Sequence, residues 1–285
     1  MRRDAFSEFH PAVNFIFFAG AIGFGVVFLH PAYLLSGAVC AAVYYLLLKG
    51  GRGWLLLLGL LPLFLILTIV NPLFNTAGSH VLFHLFGKPY TAEALLYGGA
   101  VAGILVVIML WFGCYNAVMT ADKFTSLFGN LIPSVSLLLV MVFRMVPNLI
   151  RKAGQIIGCR RSVGKHTGAP SDGIAVLSAL VSWALEGSII TGDSMRSRGY
   201  GTATRSSFMI YRMTVRDWVL LGVLLALAGA VTAAAVLGQT GTAFTPDFSC
   251  AAPSWGLLTY TAFLLIPAVL RTKEAIKWHI SRSKI

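Results

Sequence analysis

Six apolar runs that contain no Asp, Glu, Lys, Arg or His constrain this chain more than any other feature of its sequence. At about 1.5 Å per residue, each run is long enough as a helix to cross a bilayer core of about 30 Å, with slight thinning for the shorter ones. The sequence therefore predicts an all-α polytopic membrane protein with about six transmembrane helices. The runs are Val13–Leu29, Ala32–Leu48, Trp54–Val70, Ala94–Tyr115, Trp218–Leu237 and Trp255–Leu270.

The composition excludes a soluble globular protein. The chain is 57% hydrophobic and 11% charged, with a mean hydropathy of +0.80. Its net charge of +12 indicates loops that face anionic lipid, and we expect no nucleic-acid partner. The four cysteines have neither CxxC spacing nor a metal-ligand pattern, so a disulfide framework is not expected.

The distribution of the basic residues predicts the orientation of the chain. If the N-terminus lies inside, every Lys and Arg except Lys88 falls on the inner side of the six-span topology. The inverse orientation would place nearly all of them outside, against the positive-inside bias. Both termini are therefore predicted to be cytoplasmic, in a multi-pass protein.

The stretch from Asn116 to Arg216 separates four spans from two. It holds twelve of the 22 Lys and Arg but only four acids, so we predict a cytoplasmic module of long amphipathic helices between residues 116 and 216. Residues 1–115 form the N-terminal bundle in this prediction, and residues 217–285 the last two spans and a basic tail. The twelve cations are Lys123, Arg144, Arg151, Lys152, Arg160, Arg161, Lys165, Arg196, Arg198, Arg205, Arg212 and Arg216.

Two apolar runs inside this stretch leave the number of crossings open. If Ile132–Val146 and Ile174–Ile190 also spanned the bilayer, the chain would cross eight times with the same end orientation. The five cations between them would then lie outside, which the positive-inside bias disfavours. We therefore interpret both runs as helices that do not span the membrane.

The sequence carries no sign of catalysis or of a resident cofactor. The spans lack the intramembrane ionisable groups that mark ion-coupled carriers and proton relays, and no nucleotide-binding, hydrolase or metalloprotease motif is present. We predict a loop from Asn71 to Thr91. His80 and His84 in it are four residues apart and could share a helix face, but without a nearby carboxylate they indicate an ordinary external loop rather than a metal site. We expect a non-catalytic chain without metal.

Arginine closes two predicted helix ends. From Pro147 to Gly164, apolar residues recur at helical spacing, and Arg160 and Arg161 follow in the last turn before a glycine that favours a helix stop. Asp193–Gly199 repeats the pattern with Arg196 and Arg198. Cations suit the negative end of a helix dipole, and guanidinium forks bind carboxylates or carbonyls of a partner. Spacing alone leaves another interpretation open, in which these are juxtamembrane arginines that face lipid.

The second helix end resembles a known motif. Ser197-Arg198-Gly199, within Ser194-Met-Arg-Ser-Arg-Gly-Tyr-Gly201, is similar to the Ala/Ser-Arg-Gly coupling motif in the transmembrane T component of energy-coupling factor (ECF) importers. Arg144-Met-Val-Pro147 resembles the segment that opens the first coupling helix of that family. Phe9–Phe15 and Asp122-Lys123-Phe124 are also similar to its members. The helix end from Pro147 to Gly164 departs from the coupling motif of the family. Gly164 matches the motif glycine, but Val163 stands where many members have arginine.

The resemblance implies a function and partners. In this family the T component joins two cytoplasmic ABC-type ATPases to a substrate-binding membrane S component, in the plasma membrane of prokaryotes, for vitamin or metal-ion uptake. Ser197, Arg198 and Gly199 would then sit in a groove of one ATPase, and the Arg160–Gly164 end in the other. The ATPases would bind ATP and Mg²⁺. The apolar faces of Ile132–Val146 and Ile174–Ile190 would form the surface on which the S component tilts.

Other classes of function remain as alternatives. The chain would transport alone if it were a carrier or channel for a small neutral solute. A membrane enzyme acting on lipid head groups would use Asp122 and Asp193 with the arginines as an interfacial site. A membrane anchor for another soluble protein would differ from the main interpretation only in its partner.

Overall fold

The computed structural model describes residues 5–75, 78, 80–85, 88–129, 133–164, 170–200, 211–244, 249–250 and 254–282. Short 3₁₀ turns lie at Ala5–Glu8 and Gly50–Arg52. Lys165, Gly201 and Arg205 of the predicted basic stretch lie outside the described residues. The helices are α1 (Pro11–Val27), α2 (Pro31–Lys49), α3 (Gly53–Phe74), α4 (Ala92–Val118), α5 (Ala121–Gly129), α6 (Pro133–Ser162), α7 (Pro170–Ser197), α8 (Val215–Val236) and α9 (Trp255–Arg282), with strands β1 (Val81–Leu85), β2 (Lys88–Thr91), β3 (Thr242–Ala243) and β4 (Ser249–Cys250).

The protein is an all-α polytopic membrane protein, as the sequence predicts. Six helices in the described part of the chain are long and apolar enough to cross a bilayer: α2, α3, α4, α7, α8 and α9. This set differs from the predicted spans in two helices. Helix α7 meets the criteria of length and composition although we interpreted its apolar run as non-spanning, while α1 is apolar but has only 17 residues.

The predicted external loop from Asn71 to Thr91 is wrong in its first and last parts. Helix α3 continues through Asn71 and Pro72 to Phe74, because the Asn75 N–H still bonds the Asn71 carbonyl at 3.0 Å. The end of the loop forms the antiparallel hairpin of β1 and β2. His84 lies on β1, so its spacing from His80 is not that of a helix face.

The described chain divides into two compact units, residues 1–120 with 212–285, and residues 121–211. The first unit joins the N-terminal helices to α8 and α9, although the charge pattern of the sequence predicts separate regions for them. The second unit contains α5, α6 and α7.

Aromatic residues fill the core of the first unit. The ring of Phe17 lies 5.5 Å from that of Trp111 and 5.3 Å from that of Phe263, so that α1, α4 and α9 meet there. Edge-to-face and offset pairs at these distances are the favoured arrangements of aromatic rings. Phe18 adds a contact to Tyr115 at 5.6 Å. This cluster packs the three helices against one another.

Small residues allow α3 and α4 to approach closely. A Cβ atom added at Gly98 would lie 2.9 Å from the Thr68 carbonyl oxygen and 2.8 Å from the Cβ of Asn71. Both distances are shorter than ordinary packing permits, so this crossing requires glycine. Close approach through small residues is the usual way in which transmembrane helices pack.

Two histidines begin helices α1 and α2 in the same way. His10 Nδ1 accepts a hydrogen bond from the Ala12 N–H, and His30 Nδ1 accepts one from the Ala32 N–H, each at 3.2 Å. In both cases proline is the first helical residue, where its missing N–H has no cost. The His-Pro-Ala sequence is thus a local helix start that occurs twice.

In the second unit, α6 and α7 form an antiparallel hairpin. Lys152 Nζ lies 5.5 Å from the ring centroid of Trp183, within the range of a cation–π contact. Further along α6, Arg160 Nη2 lies 2.6 Å from Asp172 Oδ1. Since the contacts advance along α6 as they go back along α7, the two helices run in opposite directions.

Candidate functional site

The C-terminal end of α7 is closed by a complete glycine cap. Gly199 has φ +70°, its N–H bonds the Arg196 carbonyl at 3.0 Å, and the Tyr200 N–H bonds the Met195 carbonyl at 3.0 Å. This pair of bonds is the Schellman motif, which needs a residue that tolerates the left-handed conformation. Arg198 occupies the last position before the glycine, so the motif sets its backbone rigidly.

The side chains at this end of α7 are open to the surroundings. Ser197, Arg198 and Gly199 are exposed, as is Arg196. The Ser197 hydroxyl donates back to the Ser194 carbonyl at 3.0 Å. The hydroxyl is therefore used within the helix, and the arginines are the groups at this end that a partner would meet.

The C-terminal end of α6 has a similar backbone. The helix ends at Ser162, Gly164 has φ +79°, and the Gly164 N–H bonds the Arg161 carbonyl at 3.0 Å. Val163, which stands in the place of the motif arginine, is 78% exposed. The two helix ends share the left-handed glycine but present different residues before it.

The two arginines in the last turn of α6 have different surroundings. Arg160 pairs with Asp172, and the two side chains are 21% and 23% exposed. Arg161 is exposed. The sequence predicted both residues as candidate docking groups without separating them.

Arg144 and Pro147 do not open a helix. Helix α6 begins at Pro133 and runs to Ser162, so both residues lie in its interior. Pro147 removes one N–H from the helix, but the chain on each side keeps helical geometry. The expectation that the first coupling helix starts at Pro147 is therefore wrong in its boundary, and Arg144 is an exposed residue in the first half of α6.

The antiparallel hairpin places the two arginine-bearing ends far apart. The end of α6 lies beside the first turn of α7, where Asp172 binds Arg160. Arg196 lies 24 residues further along α7, which is about 36 Å at the rise of an α-helix. One carboxylate cannot bridge such a distance, so the two ends can serve two separate contacts and not a single binding pocket.

Apolar side chains remain exposed along both helices of the hairpin. They recur every three or four residues, which puts them in stripes on one face of each helix. Such continuous apolar surface marks contact with a membrane or with another protein. The residues are Leu138, Val142, Val146 and Ile150 on α6, and Ile174, Leu177, Val181, Leu185 and Ile189 on α7.

Sequence reasoning missed two structural uses of acidic residues. The Asp172–Arg160 pair depends on the fold of the hairpin and has no local signal. Asp217 is different: it caps α8 together with Thr214, and the Thr-x-x-Asp spacing is a recognisable helix start. The enzyme alternative needed Asp122 and Asp193, which belong to α5 and to the far end of α7.

Comparison with known proteins adds no assignment to these observations. No model of a protein family matches the chain, and none of the curated proteins matches it either.

Proposed function

We propose that this chain is the transmembrane coupling subunit of an ECF-type ABC importer. The observation that carries the proposal is the pair of arginine-bearing, glycine-capped helix ends, about 36 Å apart on one hairpin by helical rise. Two separate ends suit two ATPase subunits. The membrane bundle then anchors the hairpin, and the chain itself is not catalytic.

Each helix end docks in a groove of one ABC-type ATPase. Arg198, between Ser197 and Gly199, serves one site, and the Arg160–Gly164 end serves the other. A guanidinium group binds a carboxylate or carbonyls through two parallel hydrogen bonds, so it transmits rigid-body motion with a defined orientation. Removal of such a buried arginine costs about 2–5 kcal/mol of docking, much of it from the unpaired partner charge.

The exposed apolar stripes of α6 and α7 support a second contact, with a substrate-binding membrane S component. That component would select the micronutrient, a vitamin or a metal ion, while the ATPases would bind ATP and Mg²⁺. The chain lies in the prokaryotic plasma membrane with both termini and the hairpin on the cytoplasmic side. The positive-inside bias supports this orientation.

A stand-alone carrier for a small neutral solute is the second candidate. One observation favours it: a groove of about 820 Å³ lies among α2, α3 and α4, lined almost wholly by apolar side chains such as Leu34, Leu61 and Leu95. Its size is typical of ligand sites. In this alternative the chain transports without any ATPase.

Reconstituted uptake tests the proposal. The chain would be reconstituted in proteoliposomes with its S component and ATPases. Uptake of labelled vitamins and divalent metals would be measured with and without ATP on the side of the membrane that carries the ATPases. We expect ATP-dependent uptake by the wild type and loss of uptake in Arg198→Ala, while Arg151→Ala, in the middle of α6, stays active. Uptake by the chain alone would favour the carrier instead.

A further inference from the structure

The apolar groove of the membrane bundle lies between α2 and α3, and residues of α4 form its floor. Helices α2 and α3 both pack along α4, and the groove between them encloses about 820 Å³. Leu34, Ala100 and Leu110 line it and are buried, while Leu35 and Leu61 line it and are exposed. Since α2, α3 and α4 are all long and apolar enough to cross a bilayer, the open side of the groove faces the acyl chains of the membrane.

The described lining offers almost no hydrogen-bonding group to a polar ligand. Its polar side chains are those of Thr68 and Trp54. The Thr68 hydroxyl already donates to the Phe64 carbonyl of its own helix at 2.8 Å, and Trp54 lies in the first turn of α3, at one end of the groove. Sites for polar ligands place a few polar groups among apolar ones to fix the orientation of the ligand. This lining therefore fits a hydrocarbon chain better than a polar solute.

The connection between α2 and α3 puts positive charge at one end of the groove. Lys49 ends α2, and Arg52 lies in the 3₁₀ turn that leads to Trp54. A Cβ atom added at Gly53 would lie 3.4 Å from the Cβ of Lys49, so the two helices meet here. Lys49 is exposed and forms no ion pair with the described residues. The chain has no Asp or Glu between residues 9 and 92, so α1, α2 and α3 carry no acid that could neutralise this charge.

The charged end supplies the selectivity that the apolar lining cannot. Lipid tails are as apolar as leucine side chains, so burial alone gives little affinity for an acyl chain inside a bilayer. A Lys or Arg near the membrane surface raises the binding of anionic lipid about fivefold. Tryptophan is favoured at the same depth, where its ring meets the head groups. Lys49, Arg52 and Trp54 together are thus typical of a contact with an anionic head group.

We propose that this groove binds an anionic phospholipid, with an acyl chain between α2 and α3 and its head group at Lys49. The lipid belongs to the leaflet that contains the α2–α3 connection, which is the cytoplasmic leaflet in the predicted orientation. It fills the space that α2 and α3 leave open along α4. The site does not depend on the ATPase contacts of the proposed function, because its residues belong wholly to the first unit.

Native mass spectrometry of the full chain in detergent tests the head-group contact. The probes are phosphatidylglycerol and phosphatidylcholine with identical acyl chains, added at equal concentration. We expect the first bound lipid to be phosphatidylglycerol, preferred about tenfold or more because two cations contribute. Lys49→Gln should reduce this preference about fivefold and leave the binding of phosphatidylcholine unchanged. Lys273→Gln, at an exposed lysine of α9, is the matched control that should keep the preference.

A larger side chain in the groove tests the position of the acyl chain. Leu61→Trp should lower the occupancy of both lipids about fivefold or more, because the added ring overlaps the space of the chain. Ile66→Trp is the matched control. Ile66 is as exposed on α3 as Leu61, at 58% against 57%, but is not among the residues that line the groove. Thermal unfolding shows whether each variant is folded.

Three results would overturn the inference. Equal binding of the two lipids by the wild type would mean that the groove does not select an anionic head group. Equal losses of preference in Lys49→Gln and Lys273→Gln would mean that anionic lipid binds the basic surface in general. Unchanged binding by folded Leu61→Trp would place the lipid elsewhere and leave the groove to a solute. If Leu61→Trp does not fold, the two lysine variants decide the question, since neither replaces a buried residue.

Discussion

At the residue scale, Asp217 is a buried acid that accepts three hydrogen bonds. Its side chain is 4% exposed. One carboxylate oxygen accepts from the His10 N–H at 3.0 Å, and the other accepts from the N–H and hydroxyl of Thr214, each at 2.8 Å. These bonds join the start of α8 to the start of α1. They occur at the point where the chain returns from the second unit to the membrane bundle.

Substitution of Asp217 should therefore destabilise the bundle. Asp217→Ala removes the charged acceptor of the part-buried hydrogen bonds from His10 and Thr214, and hydrogen bonds to a charged group contribute about 1.5–3 kcal/mol. The thermal unfolding midpoint in detergent, followed by tryptophan fluorescence, should fall. Asp193→Ala is the matched control, since Asp193 is exposed on α7. Equal midpoints in the two variants would show that the Asp217 bonds contribute nothing.

Gly98 should tolerate no larger residue. Gly98→Ala places a methyl group against the Thr68 carbonyl and the Asn71 side chain, and overpacking of this kind costs about 1–3 kcal/mol. We expect a lower unfolding midpoint, while Gly229→Ala on α8, which meets no atom within 4 Å, should keep or raise it. A stable Gly98→Ala protein would mean that α3 and α4 separate easily.

Local residue signals could be predicted from the sequence, and contacts across the fold could not. A glycine after an apolar helix predicts the left-handed conformations of Gly164 and Gly199, because the cap depends on neighbours in the chain. The pairing of Arg160 with Asp172 depends on the way α6 folds back on α7. No rule of sequence spacing gives the distance between residues on two different helices. The sequence therefore did not distinguish Arg160 from Arg161 as candidate docking groups.

At the element scale, the apolar runs predicted where helices exist but not where they end. Helix α9 continues from its apolar run through Arg271 to Arg282, since charged residues with high helix propensity extend a helix beyond the bilayer. Helix α6 continues through Pro147 for a related reason: helical sequence on both sides outweighs one missing N–H. Helix boundaries depend on such competition, which a hydropathy pattern does not describe.

The length of α7 makes its position in the membrane a testable question. In the proposed function, the connection between α6 and α7 lies on the cytoplasmic side. In a background with Cys159→Ser and Cys250→Ser, Val163→Cys should react with a membrane-impermeant maleimide only from the cytoplasmic side. Val236→Cys, at the C-terminal end of α8, is the control that should react only from outside.

Reaction of Val163→Cys from outside would mean that α6 and α7 cross the bilayer. The eight-span topology would then be correct, and the Arg160–Gly164 end could not meet a cytoplasmic ATPase. Val163 and Val236 are both largely exposed, at 78% and 88%, so burial within the protein does not explain a lack of labelling at either.

At the scale of the whole molecule, the chain divides into a membrane bundle and a unit of three helices, whose sequence lies between the two segments that form the bundle. The fold class could be predicted because membrane insertion depends on apolar length, which the sequence states directly. That the first and last helices belong to one unit could not be predicted from the sequence, since it depends on side-chain packing such as Phe17 against Phe263. The proposed function depends on partners, and on this chain it is supported only by exposed arginines and apolar stripes.

Co-purification with ABC-type ATPases tests the central claim most directly. Tagged wild type, Arg198→Ala and Arg151→Ala would be co-expressed with candidate ATPases from the same organism, and the ATPase bound per membrane subunit would be measured. We predict that the wild type and Arg151→Ala retain the ATPases and that folded Arg198→Ala loses most of them. Retention of the ATPases by Arg198→Ala, or their absence from the wild type, would contradict the account.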